Sequence, residues 1–487
     1  MDKVHLKYID NVHIKVIADP STIQELADHF TFFADNYRFH PKYKMKIWDG
    51  KIRLLNNLSG YIYAGLAKTI KKFCDDHGYL LTFDDELIYD NVSIHELKVF
   101  IDNLNIPEKY QVRDYQFDSI IKCIRSGRRT LVSPTSSGKS LMIYIITQWY
   151  NQHKSLIIVP TTGLVAQMES DFREYGYTGI VHNSIGGLST DKDIEAEMVI
   201  TTWQALNNGK NKRLKPWYEQ FGCVVGDECH GAKATSLIQI LSSLSSCKYR
   251  FGTTGTLDGT PLNETTIEGL FGPKYKAVST KQLMDEGYVS TLKIKCIVLR
   301  YDEQTSKNLR GATYQEEIDF LVNNEKRNKF LTNLTMSLKG NRLLFFRIID
   351  HGKKLHDLLS ESNSDKVFYI DGSVSATDRE SIRHSIEDEE NAILIASLGT
   401  TSTGVSINRL NHMIAASPSK SKIKVLQSIG RVLRMHPDKK GAILYDIVDN
   451  LSCGKSHENF TLKHFVERCS IYDSEQFDYE LFNVKLK

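Results

Sequence analysis

The spacing of apolar and polar residues divides the chain into stretches of different period. Val12-His13-Ile14-Lys15-Val16-Ile17 alternates residue by residue and predicts a half-buried strand. Ser21 to Phe33 carries a capped helical pattern, and Lys51 to Leu55 predicts a second strand after the turn signal Asp49-Gly50. A helix from Ala64 to His77 follows, closed by Gly78. The acidic and polar stretch Asp84 to Asn105, ending at Pro107, predicts a junction between domains.

Beyond Val112 the pattern changes to short, continuous apolar runs separated by helical stretches. The runs at Thr130–Ser133, Leu156–Val159, Met198–Thr201, Cys223–Gly226 and Tyr249–Gly252 form a first series that ends near Gly287. A second series comprises Leu343–Phe346, Val367–Ile370, Ile393–Ala396, Met413–Ala416 and Ala442–Tyr445. Strands apolar on both faces and separated by helices predict parallel sheets covered on both sides. The expected fold is therefore α/β: a small α+β domain over residues 1–95, then two parallel-sheet domains over 96–288 and 289–487.

A length of 487 residues agrees with about three domains of roughly 150 residues each. Hydrophobic residues make up 41% and charged residues 25%, as in ordinary globular proteins. No run approaches the ~20 apolar residues of a membrane span, and the first residues lack the apolar core of a secretory signal. The 8 cysteines include no Cys-x-x-Cys, so no zinc ribbon, iron–sulfur cluster or disulfide framework is indicated. A reducing, cytoplasmic setting is the expectation. The net charge of +3 announces no polyanion partner. Locally, however, Arg38, Lys42, Lys44, Lys46, Lys51 and Arg53 alternate with Tyr37, Phe39, Tyr43 and Trp48, against the single acid Asp49. Such a segment offers both phosphate contacts and stacking surfaces to a nucleic acid, and its plainer reading is a solvated strand pair.

Two short strings carry the chemistry. Pro134-Thr135-Ser136-Ser137-Gly138-Lys139-Ser140 lies between a strand and a helix, so its backbone N–H groups can wrap phosphates. Lys139 can reach the β- and γ-phosphates and the Ser140 hydroxyl can ligate Mg²⁺. The loop has Ser133 where the simplest pattern has glycine, and Ser136 where many related loops have it. Asp227-Glu228-Cys229-His230 follows an apolar strand; Asp227 would ligate Mg²⁺ and Glu228 would polarise the attacking water. His230 is a candidate for coupling the γ-phosphate state to neighbouring loops, and Cys229 is expected to pack. ATP with Mg²⁺ is thus the expected ligand. Ahead of the loop, Gln116 offers an amide that can both accept from and donate to an adenine edge. Far beyond it, Gln427-Ser428-Ile429-Gly430-Arg431-Val432-Leu433-Arg434 places two arginines three apart on one helical face, able to neutralise γ-phosphate charge as an arginine finger does; the plainer reading is a solvated helix face.

The ordered set resembles superfamily 2 helicases: Tyr115-Gln116, the loop Ser133–Ser140, Pro160-Thr161-Thr162-Gly163-Leu164, Thr201-Thr202-Trp203-Gln204, Asp227–His230, Thr254-Gly255-Thr256, Ser397–Gly404 and Gln427–Arg434. Together with Trp48-Asp49-Gly50-Lys51-Ile52-Arg53-Leu54 and Lys420-Ser421-Lys422, it looks like the phage UvsW-type recombination helicases. The resemblance implies two RecA-like lobes and a motor driven by ATP. By similarity, Gln116 would contact adenine, and Thr135, Ser136, Ser137, Gly138 and Gly404 would line the nucleotide. Gln427, Arg431 and Arg434 would complete the site from the far lobe, and Thr254 and Thr256 would couple hydrolysis to movement. Thr161, Thr202 and Thr400 would hold a strand by its backbone, beside the basic segment with Trp48.

The resulting expectation is a monomeric ATP-dependent DNA helicase that remodels forks, recombination intermediates and R-loops, without a membrane partner. An RNA helicase or a double-strand DNA translocase of the restriction-motor kind is the alternative within enzymes. A scaffold with a decayed ATPase is the alternative outside them; the presence of Lys139, Asp227, Glu228, Arg431 and Arg434 together argues against it.

Overall fold

The computed structural model describes residues 2–87, 91–184, 195–207, 215–231, 235–362, 366–398, 407–417, 421–437, 439, 441–452 and 458–486. The chain forms two compact units, Met1–Ser133 with Gly138–Ala277, and Pro134–Ser137 with Val278–Lys487.

The first unit begins with a mixed sheet in the order Tyr61–Tyr63, His13–Ile17, Lys3–Tyr8, Leu80–Phe83. Val4, Leu6, Ile14, Val16 and Ile62 share one core with Leu26 of helix Pro20–His29 and with Ile70 and Phe73 of helix Ala67–His77. The alternation seen at Val12–Ile17 is this two-sidedness. The helix expected to run to Phe33 ends at His29. Phe30 is buried, and Thr31–Phe33 pairs antiparallel with Lys51–Arg53, as β-branched and aromatic residues favour. The stretch expected as a junction holds a helix, Ile94–Asn103, started by a capping box between Ser93 and Glu96. Its Leu97 is fully buried in the core of the next sheet.

That next sheet has seven strands in the order Lys274–Lys276, Arg128–Val132, Tyr249–Thr254, Cys223–Asp227, Ser155–Val159, Met198–Thr202, Val181–Asn183. Every pairing in it is parallel. Successive residues of its central strands enter two different cores: Ile157, Val159, Ile200 and Val225 pack on one face, Leu156, Ile158, Val199 and Val224 on the other. This is why those runs read as continuously apolar. Parallel pairing also places Val132, Asp227, Thr254 and Thr202 at the same edge of the sheet, where loops can build a site.

The N-terminal module is seated on this sheet's own helices. A Cβ at Gly65 would lie 2.1 Å from the Glu268 carbonyl oxygen and 2.6 Å from that of Gly269, in helix Pro261–Phe271. Only glycine allows that backbone approach. Asn11 Nδ2 donates to the Ser245 carbonyl at 3.1 Å, and Arg128 Nη2 donates to the Asn11 carbonyl at 2.8 Å.

The second unit contains another seven-stranded parallel sheet, ordered Val367–Ile370, Ile393–Ser397, Asn341–Phe346, Leu410–Ala415, Ala442–Asn450, Leu292–Arg300, Tyr479–Lys485. Five of these strands match the sequence reading; Leu292–Arg300 and Tyr479–Lys485 were not read from it. Buried ion pairs cross-brace the sheet. Arg327 Nε donates to Asp449 at 2.8 Å and Nη2 to the Ala416 carbonyl at 2.7 Å; Arg468 Nε donates to Asp446 at 2.8 Å. Removing one member of such a pair costs about 3–5 kcal/mol, because the other is left charged and buried. Among the described residues no helix is long and apolar enough to cross a membrane.

Candidate functional site

Strand Arg128–Val132 hands over to the Pro134–Ser140 loop at Ser133, whose N–H bonds the Thr254 carbonyl at 2.8 Å. The loop turns by means of two left-handed residues, Ser136 at φ +66° and Gly138 at φ +75°. Ser137 Oγ donates back to the Pro134 carbonyl at 2.7 Å. Gly138 caps helix Lys139–Trp149, so the N–H groups of the first turn face the loop. Lys139 Nζ donates to the Ser133 carbonyl at 3.2 Å, folding over its own loop. Ser136 Oγ is buried with no hydrogen-bond partner among the described residues. Buried donors of this kind suit an anion.

Asp227 closes its strand and accepts from Thr253 Oγ1 at 2.6 Å. Glu228 is held at φ +49°, a left-handed conformation in a residue that seldom adopts it. His230 Nδ1 stands 3.2 Å from Glu228 Oε2 and 2.9 Å from Thr254 Oγ1. Thr254 Oγ1 also lies 3.3 Å from Glu228 Oε2 and 3.0 Å from the Thr256 carbonyl, and the Thr256 N–H reaches back to it at 3.3 Å. Residues 227–230 and 254–256 are therefore one hydrogen-bonded cluster.

The two carboxylates are pushed apart electrically. Burial, reinforced by the neighbouring Glu228 charge, raises Asp227 above the ordinary carboxylate value. Burial would raise Glu228 too, but the Lys139 ammonium and His230 outweigh it and hold Glu228 well below its usual value. Glu228 thus stays ionised, while burial leaves the Asp227 charge less fully compensated, as suits a cation ligand.

Gln116 is 2% exposed. Its Oε1 accepts from the Arg113 N–H at 2.9 Å, and its Nε2 would touch any Cβ at position 138, 2.3 Å away. Its amide thus braces the turn at Gly138 in this structure, with the carbonyl end engaged by the helix cap.

In the second unit, helix Lys422–Val432 carries Gln427 and Arg431. It ends at Val432 with Leu433 as its C-cap, so Arg434 lies one residue beyond the helix that carries Arg431. Carbonyls at and just beyond this end are met from outside the helix. Lys439 Nζ donates to the carbonyls of Val432 and Arg434, the latter at 2.9 Å, and Ser290 Oγ donates to the Arg434 carbonyl at 3.1 Å. Burial lowers the Lys439 ammonium to about 8. Within this same unit Gly430 lies so near Thr135 that a Cβ would sit 2.5 Å from the threonine Cβ.

Thr161 and Thr202 each cap a helix at the edge of the first parallel sheet, accepting from the N–H of Leu164 at 3.4 Å and of Ala205 at 3.2 Å. Gln204 Nε2 donates to the Pro160 carbonyl at 3.2 Å and joins the two segments. Both present helix N-termini, which favour phosphate. Thr400, Gly404 and Lys420 lie outside the described residues.

The basic aromatic segment is not the strand pair of the plainer reading. Tyr37–Phe39 and Pro41–Lys44 are short helical turns, and only Lys51–Arg53 is strand. Phe39 is 74% exposed, Ile47 71% and Met45 60%, among Arg38, Lys42, Lys44 and Lys46. Trp48 is pinned by its Nε1 bond to the Lys51 carbonyl at 2.9 Å. Arg38, Tyr43, Lys44, Lys46, Ile47 and Trp48, with the acid Asp49, line a concavity of about 800 Å³. Arg53 differs from the others, being paired with Asp49 at 2.5 Å.

Sequence reasoning missed Lys439, Ser290 and Tyr175, whose hydroxyl lies 2.8 Å from Ser140 Oγ. Each meets its partner through the fold, and no local motif marks it.

Comparison with known proteins follows the same division. Residues 3–84 match the family described as DNA helicase UvsW, N-terminal; 109–259 match Type III restriction enzyme, res subunit; and 325–436 match Helicase conserved C-terminal domain. The chain is 36% identical over 507 residues to the ATP-dependent DNA helicase uvsW of Enterobacteria phage T4, covering 99% of both chains. It is 24% identical over 390 residues to the DNA 3'-5' translocase XPB2 of Sulfurisphaera tokodaii, covering 72% of this chain and 84% of the relative. The crystal structure of T4 UvsW aligns over 100% of both chains with a TM-score of 0.52 and 34% identity. The Type ISP restriction-modification enzyme LlaBIII shares the fold over 77% of this chain and 32% of its own, at a TM-score of 0.59 and 15% identity.

Proposed function

The chain belongs to the UvsW family of helicases and is an ATP-dependent DNA helicase, and from that premise we propose that it unwinds and remodels branched DNA: forks, recombination intermediates and R-loops. The observation that carries the reading is the cluster Asp227, Glu228, His230, Thr254 and Thr256, built at the same sheet edge as the Lys139 loop.

In this reading Gly138 and the first-turn N–H groups hold the phosphates, with Thr135, Ser136 and Ser137 lining the loop and Lys139 leaving the Ser133 carbonyl to meet the β- and γ-oxygens. The residues present fit Mg²⁺: a serine hydroxyl at Ser140 and a buried, under-neutralised carboxylate at Asp227 are hard oxygen donors. That ion would screen the phosphate charge. Glu228, kept ionised, accepts a proton from the attacking water. His230 reports that event to Thr254 and Thr256. Gln427, Arg431 and Arg434 supply the stabilising charge from the second RecA-like lobe, and Gly404 completes the nucleotide site. Gln116 serves adenine recognition through the brace it makes on Gly138.

DNA is held by its backbone at Thr161, Thr202 and Thr400, and by Arg38, Lys42, Lys44, Lys46, Trp48, Lys51 and Arg53 of the N-terminal domain. The functional divisions are residues 1–95, 96–288 and 289–487, acting as a monomer in the cytoplasm. The test measures ATP hydrolysis and strand displacement on forks, four-way junctions and DNA–RNA hybrids, with Lys139→Ala alongside. Branched DNA should stimulate turnover, and the variant should lose it by roughly a hundredfold or more while still binding DNA. Turnover indifferent to every nucleic acid would refute the reading.

A further inference from the structure

Tyr175 has no place in the motifs of the family, yet it touches the metal-side hydroxyl directly. It follows helix Thr162–Glu174, with its N–H on the Asp171 carbonyl at 3.0 Å. Its ring is wedged edge-on against Tyr110, centroids 4.9 Å apart, and tilted against Tyr144 at 5.6 Å. Only 6% of it is exposed, so the ring has one orientation and its hydroxyl one position, 2.8 Å from Ser140 Oγ.

A serine hydroxyl has one proton and two acceptor lone pairs. When one lone pair is given to a cation, the proton must point elsewhere. That proton needs an acceptor, or the bond to the cation is weakened by a poorly satisfied donor. The phenol oxygen of Tyr175, 2.8 Å away in a contact that either hydroxyl can donate, is placed to be that acceptor. Outer partners of this kind fix the direction of a ligand and tune its basicity. Tyr175 is also the residue at which the helix capped by Thr161 ends, so the same side chain ties the Ser140 hydroxyl to the segment that begins at Thr161.

We propose that Tyr175 is a positioning residue that orients the Ser140 hydroxyl for Mg²⁺ in the nucleotide complex; this rests on the nucleotide-site reading above. The substitution that isolates it is Tyr175→Phe, which keeps both ring contacts and removes one oxygen. Binding of a fluorescent, non-hydrolysable ATP analogue to the full chain is followed by anisotropy as Mg²⁺ is raised from a chelated start, with Ser140→Ala and Tyr110→Phe in parallel. Tyr110 shares the ring cluster, but its hydroxyl bonds Glu174.

Tyr175→Phe should raise the Mg²⁺ concentration for half-maximal binding roughly three- to tenfold, leave metal-free binding and the thermal midpoint unchanged, and differ from a silent Tyr110→Phe. A Tyr175→Phe titration that overlays the parent while Ser140→Ala is shifted would overturn the inference and leave the nucleotide site standing. A shift to lower Mg²⁺ would overturn it too, since Tyr175 would then compete with the ion for Ser140. If Ser140→Ala itself overlays the parent, the metal role of Ser140 falls, and Tyr175's with it.

Discussion

Thr254 Oγ1 stands 2.9 Å from His230 Nδ1, across the neighbouring parallel strands Cys223–Asp227 and Tyr249–Thr254. The contact links the carboxylate run directly to Thr254-Gly255-Thr256. It shares Glu228 Oε2 as a common neighbour, 3.2 Å from the imidazole and 3.3 Å from the hydroxyl. A change of charge at Glu228 therefore reaches Thr254 through two bonds.

Replacing His230 with Ala removes one of those bonds and leaves the carboxylates in place. ATP hydrolysis should fall by only about threefold, and strand displacement by tenfold or more, from the loss of one partly charged hydrogen bond. Steady-state turnover and displacement measured on the same fork distinguish this from a direct catalytic role, in which the two would fall together.

Neutralising Lys42, Lys44 and Lys46 together should weaken duplex binding at low salt and reduce the slope of log affinity against log salt by about 0.9 for each lysine that contacts phosphate. Titrations between low and physiological salt give the slope. An unchanged slope would assign the three lysines to solubility.

Gly65→Val places methyl groups where the Glu268 carbonyl oxygen stands, only 2.1 Å from an ideal Cβ. Neither backbone can yield cheaply, so the N-terminal module should loosen at a cost on the order of 1–3 kcal/mol. Faster amide exchange in helix Pro261–Phe271, with ATP binding retained, is the expected signature. Unaltered exchange there would mean that the seat is softer than the glycine implies.

Burial, with Arg327 and Lys354 nearby, pushes His351 down to about 3, and its Nε2 meets Asn328 Oδ1 at 3.0 Å. The unfolded imidazole takes a proton near 6.5, and the folded one does not until far lower pH. The unfolded state therefore binds more protons between about 6.5 and 3, and stability falls as pH drops through that window, by up to about 1.4 kcal/mol per pH unit. Denaturant unfolding at pH 7, 6 and 5 should show this slope for the second unit, and His351→Gln should flatten it.

The two parallel sheets were legible because their central strands bury both faces. Ile157 and Leu156 point into different cores, and the sequence writes that as an unbroken apolar run. The Lys139 loop and Asp227–His230 were legible as short local strings that follow apolar strands, and the two lie at the same edge of one sheet. Helix Ile94–Asn103 was written in Ser93 and Glu96, but the acidic composition around them masked it. The end of the helix before Arg434 was not legible, because the groups that meet the carbonyls there, Lys439 and Ser290, are brought in by the fold, the latter from far away in sequence. Tyr175 was invisible for the same reason, since only the fold brings it to Ser140.

Strand Leu292–Arg300 is flanked by Ala442–Asn450 and Tyr479–Lys485. Of the seven strands of its sheet it is the first to leave the ribosome, and the two that cover its edges are the last. Throughout synthesis of the intervening chain both edges lack their partners, an invitation to wrong pairing that a chaperone or fast collapse must answer. Strand Tyr479–Lys485 then becomes the edge in its turn, so a nascent chain stopped short of it leaves Leu292–Arg300 as the edge instead. A tag or truncation at that end acts on the oldest strand of the lobe as much as on the newest.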